Sequence, residues 1–262
     1  MKVTVCQMEN RTKFFAQNWD CLVFHVQKNK SDLVLLPEMT FYPWFAVNKT
    51  FEPRVWDAAV KTHDRWEKRF PEMSPAVICG SRPVNREGRR FNEGFIWEEE
   101  TGYRAVHTKT YLPNEEAYWE AQWYEAGDGR FEVVEAAGVR IGFAICTDLW
   151  FYHHHREYGR QGAHLLLCPR ATPNGTLDKW LAGGQAAAVV SGAFCLSSNR
   201  ANSFKDETDL GGEGWVIDPD GKVLTKTSKN QVFQTIEIDI EDAERAKSTY
   251  PRYVKESGLT YS

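Results

Sequence analysis

The sequence predicts an α/β fold with two mixed sheets packed face to face and helices outside. Three observations carry this expectation. Short apolar runs alternate with stretches of helical spacing, the alternation occurs twice along the chain, and no linker rich in Pro, Gly or Ser divides the two halves. At roughly 100–200 residues per domain, the 262 residues are read as a single domain over 1–262.

In the first half, Val3 to Gln7 reads as a buried strand and Asn18 to Lys28 has helical spacing, with Leu22, Val23 and Val26 apolar. Asp32 to Pro37 is a continuous apolar run, the mark of a strand covered on both faces. Phe51 to Phe70 is expected to be helical, with Pro53 near its start. Pro75 to Cys79 is a third strand, and Arg89 to Lys109 reads as strands joined at Glu99 to Gly102. The second half repeats the grammar. Phe131 to Glu135 and Val139 to Cys146 are strands about an Ala-Ala-Gly turn, followed by a helix over Tyr152 to Gly162. His164 to Cys168 and Phe194 to Ser198 are strands flanking a small-residue helix, Leu177 to Val190. A hairpin over Gly214 to Thr225 turns at Asp218-Pro219-Asp220-Gly221. Val232 to Asp239 is a last strand and Ile240 to Lys247 a last helix, leaving 248–262 as a tail that docks on a partner subunit or frays.

Composition narrows the function classes. Lys plus Arg number 32 against 36 Asp plus Glu, for a net charge of −4 and a pI near 6.0. Nucleic-acid binding needs a basic stripe to neutralise phosphates, and none is present, so no nucleic-acid partner is expected. No apolar run reaches the roughly 18 residues that span a bilayer, and Met1 to Cys6 runs straight into a strand pattern with no signal peptide. The expectation is a cytoplasmic protein without a membrane partner. Cys6, Cys21, Cys79, Cys168 and Cys195 lie in apolar runs and read as reduced core thiols.

Cys146 differs, because it is one of three reactive side chains standing where a buried strand stops. Glu38 follows Leu-Val-Leu-Leu-Pro37, Lys109 ends Val106-His107-Thr108, and Cys146 follows Ile141 to Ile145. Ligand crevices form at the carboxyl ends of strands in α/β sheets, and a carboxylate, an amine and a thiol gathered there suit covalent catalysis. Singly, each has an ordinary reading: a solvated acid, a surface lysine, a core thiol. Together and in this order they point to one site.

These segments resemble the nitrilase superfamily of carbon–nitrogen hydrolases and its Glu-Lys-Cys triad. The likeness rests on Glu38 after strand and Pro, on Lys109-Thr-Tyr-Leu-Pro113, and on Gly142-Phe-Ala-Ile-Cys146-Thr-Asp148. Tyr118-Trp119-Glu120 before Trp123 to Asp128 matches the second glutamate as in N-carbamoylputrescine-amidase-like members, and Ser197 to Arg200 and Gly211-Gly212 also match. The resemblance implies a four-layer α-β-β-α sandwich and hydrolysis of a small linear amide or N-carbamoyl compound through a thioester. It makes Cys146 the nucleophile, Glu38 the general base, Lys109 the oxyanion stabiliser and Glu120 a positioning residue. It also implies no metal or organic cofactor and a homodimer or larger assembly. Tyr111 and His153 depart from the pattern, standing where many members carry His and Glu.

Physical chemistry supports the same roles. Thiolate is the attacking form, an ammonium nearby favours it, and a carboxylate can take its proton and later activate water. The backbone N–H of Thr147 is a candidate second oxyanion donor. Arg170, at a strand end, either forms a structural ion pair or clamps a substrate carboxylate. Among the aromatics after Glu38, Tyr42 and Trp44 are candidates to narrow the pocket. His153-His154-His155 is not read as a metal site, because consecutive helical residues point in different directions. Alternatives with the same residues are a nitrilase acting on a C≡N bond and an acyltransferase; a non-catalytic binding or scaffold protein is a third.

Overall fold

The computed structural model describes residues 1–202 and 209–255. One long first strand, β1 (Lys2–Glu9), belongs to both sheets. Its Lys2 to Cys6 portion pairs antiparallel with β12 (Phe233–Glu237), and Val3 to Val5 pair parallel with β2 (Leu33–Leu35). Its Gln7 to Glu9 portion pairs parallel with β9 (Phe194–Ala201). From β2 the first sheet continues through parallel β3 (Val77–Arg86) to antiparallel β4 (Arg89–Glu98) and β5 (Gly102–Thr108). From β9 the second continues through parallel β8 (Leu165–Arg170) and β7 (Val139–Phe143) to antiparallel β6 (Val134–Ala136). β10 (Trp215–Ile217) and β11 (Val223–Lys226) form the expected hairpin, with β10 laid on β9.

Strand periodicity separates the layers. Leu33 and Leu35, Val77 and Cys79 face inward and meet Ile141, Phe143, Leu165 and Leu167 of the other sheet. Val34, Leu36 and Ile78 face outward onto α1 (Phe15–Asn29), whose buried Trp19, Leu22 and Val26 recur at helical spacing. On the opposite outside, Leu166, Cys168 and Cys195 pack under α4 (Tyr152–Arg160) and α5 (Leu177–Ser191). The order is therefore helix, sheet, sheet, helix. In α5, Gly183 and Gly184 lie against the rings of Trp150 and Trp215, where an added Cβ would stand 2.9 Å from each. α2 (Pro53–Glu67) starts at its proline, and α6 (Ile240–Lys247) is capped by the Asp239 side chain.

The structure departs from the expected elements in four places. β3 runs seven residues past Cys79, because Arg82 and Asn85 continue the ladder opposite Glu93 and Arg90. The strand expected over Phe131 to Glu135 begins at Val134, since Phe131 turns away to stack on His154. Cys21 lies exposed on α1 and is not a core thiol. A short helix, α3 (Glu120–Trp123), was not legible from so few residues. In the tail, Arg252 donates to Ala246 O and Val189 O, while Tyr250, Tyr253 and Val254 stay exposed; residues 256–262 lie outside the described residues. No helix among the described residues is long and apolar enough to cross a membrane.

Candidate active site

β2 delivers Glu38. After Leu35 the chain remains tied to its neighbours, with Leu36 N donating to Cys79 O, Glu38 N to Arg170 O and Met39 N to Ser81 O. Met39 then takes a positive φ of 45° and turns the chain away. Buried Arg200 fixes this turn by donating to the carbonyls of Met39 and Tyr42, and His63 Nε2 accepts from Phe41 N. Burial holds His63 down to about 3, so it is neutral and able to accept.

β5 delivers Lys109, whose backbone N–H donates to Asn92 O and whose carbonyl accepts from Gly127 N. Its side chain is fully buried, with Nζ donating to Glu38 Oε1 at 2.8 Å and to Glu120 Oε2 at 2.5 Å. Asn92 Nδ2 donates to the same Glu38 oxygen at 2.7 Å. Glu120, the first residue of α3, is held by the Tyr124 hydroxyl one turn later, which donates to Oε2. Trp123 Nε1 anchors α3 to Asn48 O. Glu38 Oε2 and Glu120 Oε1 are buried with no hydrogen-bond partner on the protein. Two carboxylates hold Lys109 well above the usual ammonium range despite burial. Burial drives Glu120 up to about 7, beyond the opposing pull of Lys109.

β7 delivers Cys146. Gly142 is needed there because an added Cβ would strike the Tyr158 ring at 2.8 Å. Tyr158 OH in turn donates to Phe143 O and accepts from Phe143 N, clamping the strand to α4. Cys146 itself adopts a left-handed φ of 49° at the start of a 3-10 turn, Cys146–Trp150. For a side chain with a Cβ this conformation costs on the order of 1–3 kcal/mol, and the Asp148 side chain holds it. Asp148 Oδ2 accepts from Ile145 N at 3.1 Å and lies 3.0 Å from His107 Nε2. Its Oδ1 accepts from Thr110 N and Tyr111 N at 3.2 and 3.0 Å. One buried carboxylate thus ties the Cys146 turn to the segment that carries Lys109.

Glu38, Lys109, Glu120 and Cys146 are brought together. Cys146 and Glu120 line a cleft of about 630 Å³ along with Thr147, and Glu38 and Lys109 lie buried with them, acting on the Cys146 thiol electrostatically. Burial and the Glu38 charge push that thiol well above its ordinary value, outweighing Lys109 and a hydrogen bond from the Ala171 backbone. This reverses the expectation that Lys109 would favour a resting thiolate, because burial penalises the charged thiol and two carboxylates offset the ammonium.

Three other sequence expectations fall differently. Arg170 does not line the cleft. It is fully buried, donating through Nε to Ser197, through Nη1 to Thr172 and through Nη2 to Glu213 O, and its guanidinium lies over Trp215 at 3.9 Å. Each guanidinium nitrogen donates to the protein, and the side chain, fully buried and outside the cleft lining, is not placed to meet a substrate carboxylate. Nor does Trp44 reach the cleft: its indole donates to Ala117 O and its ring backs Tyr118, which does line it. Tyr42 packs with Phe45, outside the lining. The histidine run diverges: His154 stacks on Phe131 and meets the Tyr111 hydroxyl, whereas His155 donates to Leu149 O. Among the described residues no cluster of three or more His, Cys, Asp or Glu is arranged to hold a metal ion.

Of the supporting residues, Asn92, Tyr124 and His63 were not singled out from sequence, and Asp148 and Arg200 stood in the family-like segments without a role. A signal existed for three of them. Asn92 interrupts an apolar strand, Tyr124 stands one helical turn from Glu120, and Asp148 stands two residues after Cys146.

A thiol, a lysine and two carboxylates meeting at the ends of strands in a four-layer sandwich define a carbon–nitrogen hydrolase class of site. Residues 2–248 match the family described as carbon-nitrogen hydrolase, and the chain belongs to that family. It is 25% identical over 235 residues to a 2-oxoglutaramate amidase of Bacillus subtilis, covering 87% of this chain and 86% of the relative. Its fold matches the crystal structure of a carbon–nitrogen hydrolase from Helicobacter pylori G27 with a TM-score of 0.87 at 20% identity, over 98% of this chain and 95% of that one. It also matches an amidase from Nesterenkonia sp. AN1 with a TM-score of 0.76 at 18% identity, over 94% and 92% of the two chains. In that variant structure the acetamide moiety of fluoroacetamide is covalently added at the active-site cysteine.

Proposed function

We propose that this protein is an amidase that hydrolyses the carbon–nitrogen bond of a small non-peptide amide or N-carbamoyl compound through a thioester on Cys146. The observation that carries this reading is a thiol at the wall of an open cleft with a buried Glu38–Lys109–Glu120 array around it. The covalent acetamide adduct on the cysteine of the Nesterenkonia amidase supports a nucleophilic thiol in this kind of site.

In this mechanism the resting thiol is neutral. As Sγ attacks the amide carbonyl carbon, its proton passes to Glu38, whose Oε2 has no other partner. Negative charge developing on the carbonyl oxygen is met by the Lys109 N–H not given to Glu38 or Glu120, together with the Thr147 backbone N–H. Each such donor is typically worth about 3–4 kcal/mol. Collapse of the tetrahedral species breaks the C–N bond, and the protonated Glu38 returns its proton to the departing nitrogen. Water then attacks the thioester, with Glu38 accepting a water proton; release of the carboxylic acid restores the thiol. Glu120 holds Lys109 in register throughout, with Tyr124 fixing Glu120.

The reading extends to a single domain acting in a reducing, cytoplasmic setting, supported by six cysteines that are all free thiols. It extends also to a homodimer or larger assembly through the helices next to the nucleophile. The exposed Tyr250, Tyr253 and Val254, beside α4, support that surface, and light scattering on the purified protein tests it.

Ammonia release from a panel of amides, carbamoyl compounds and nitriles, with wild type and Cys146→Ala side by side, tests the function. Amide turnover that disappears in the variant supports it. Turnover confined to nitriles, or product diverted wholly to an added amine acceptor, replaces it with the corresponding alternative. No Cys146-dependent turnover of any compound overturns it.

A further inference from the structure

We infer that the cleft is built for amides of uncharged, apolar acids and rejects substrates bearing a carboxylate on the acyl chain, unlike the compound named for the Bacillus subtilis relative. This inference rests on the amidase reading above. The wall of the cleft beyond Cys146 is aromatic: Tyr111, Tyr118, Trp150, Phe151 and Trp180 all face it. Trp150 and Trp180 pack ring to ring at 5.0 Å, and Trp150 seats on Gly183, so the pair forms a fixed apolar surface. The remaining polar lining away from the reacting groups consists of uncharged threonine and asparagine together with the Glu115 carboxylate at the rim.

No lysine, arginine or histidine lines this cleft among the described residues. Lys109 and Arg170, the two cations coupled electrostatically to the thiol, are committed elsewhere. Lys109 serves Glu38, Glu120 and the reacting carbonyl, and every guanidinium nitrogen of Arg170 is given to the protein. A carboxylate placed along the Trp150–Trp180 wall would lose its water without gaining a counter-charge from the described residues, and burial of an unpaired ion is strongly unfavourable. Glu115 adds like-charge repulsion at the entrance. An alkyl or aryl chain meets no such cost and gains apolar contact with the rings.

The test compares kcat/KM for hexanamide, 4-oxopentanamide and succinamate. The last two are close in shape, differing by a methyl group against a charged oxygen. Hexanamide should be the best substrate, and 4-oxopentanamide should exceed succinamate at least tenfold. Glu115→Lys should raise succinamate at least threefold relative to 4-oxopentanamide, and Trp150→Ala should raise KM for hexanamide. Succinamate hydrolysed as well as 4-oxopentanamide, with turnover still dependent on Cys146, overturns this inference and leaves the amidase reading standing. Absence of Cys146-dependent turnover for all three and across the wider panel removes both.

Discussion

Asp148→Asn tests whether one carboxylate holds the nucleophile turn and the lysine segment in register. The wild-type side chain is fully buried and accepts three backbone N–H groups, from Ile145, Thr110 and Tyr111. Asparagine offers one acceptor oxygen and one NH₂ donor. With that oxygen kept on Thr110 and Tyr111, the NH₂ faces the Ile145 N–H, donor against donor. Stranding one buried donor costs about 1–3 kcal/mol, and loss of charge assistance in the other two bonds adds about 1 kcal/mol. The expected destabilisation is therefore about 2–4 kcal/mol, a large share of the roughly 5–15 kcal/mol that holds a typical protein folded. Urea unfolding followed by circular dichroism reads it directly. Because Ile145 N immediately precedes the strained Cys146, kcat should fall at least tenfold under conditions where the variant is still folded, with KM changing less. A stability loss under about 1 kcal/mol together with unchanged kcat would refute the reasoning.

The other predictions follow from the same geometry. Glu38→Gln keeps an oxygen for Lys109 and Asn92 but removes the base, so kcat should fall about 10²–10⁴-fold with little change in melting temperature; a loss under tenfold contradicts the assignment. Glu120 is held up to about 7 by burial, so the folded protein keeps a proton that the unfolded chain has already released. The stability it contributes is present at low pH and lost as pH rises from about 4.5 to about 7. The stability of wild type relative to Glu120→Gln should decline across that window, and a difference that grows with pH would contradict the burial argument. Arg170→Ala removes three hydrogen bonds and the stack on Trp215. It should cost about 3 kcal/mol or more and reduce activity on neutral and acidic amides alike; a loss confined to acidic substrates would restore a substrate clamp.

The layers, and the strand ends that carry Glu38, Lys109 and Cys146, were legible in sequence because each depends on local pattern. Leu33-Val34-Leu35 alternates between the inter-sheet core and α1, and the strand that contains it must end near Pro37, which places Glu38 at an edge. Glu38, Lys109 and Cys146 share this grammar of a buried strand followed by a reactive residue. What stayed hidden depends on contacts between distant segments. Asp148 belongs to the segment around Cys146, but its work is visible only once Thr110 and Tyr111 arrive from another sheet. Arg170 sits at a strand end like a ligand-binding residue, and only the approach of Ser197, Glu213 and Trp215 shows that its charge is spent inside the protein. The Cys146 thiol differs from its sequence expectation for a related reason: one lysine nearby suggests a thiolate, but full burial and two carboxylates reverse the balance.

Covalent capture of the acyl group is the chemistry on which the account depends. Wild type mixed with a hydrolysed amide and acid-quenched within milliseconds should gain the mass of the amide less ammonia in its intact mass spectrum, and peptide mapping should place that mass on Cys146. Cys146→Ala should show neither the adduct nor turnover. Turnover that persists in the variant, or an acyl group carried by any other residue, would contradict the account.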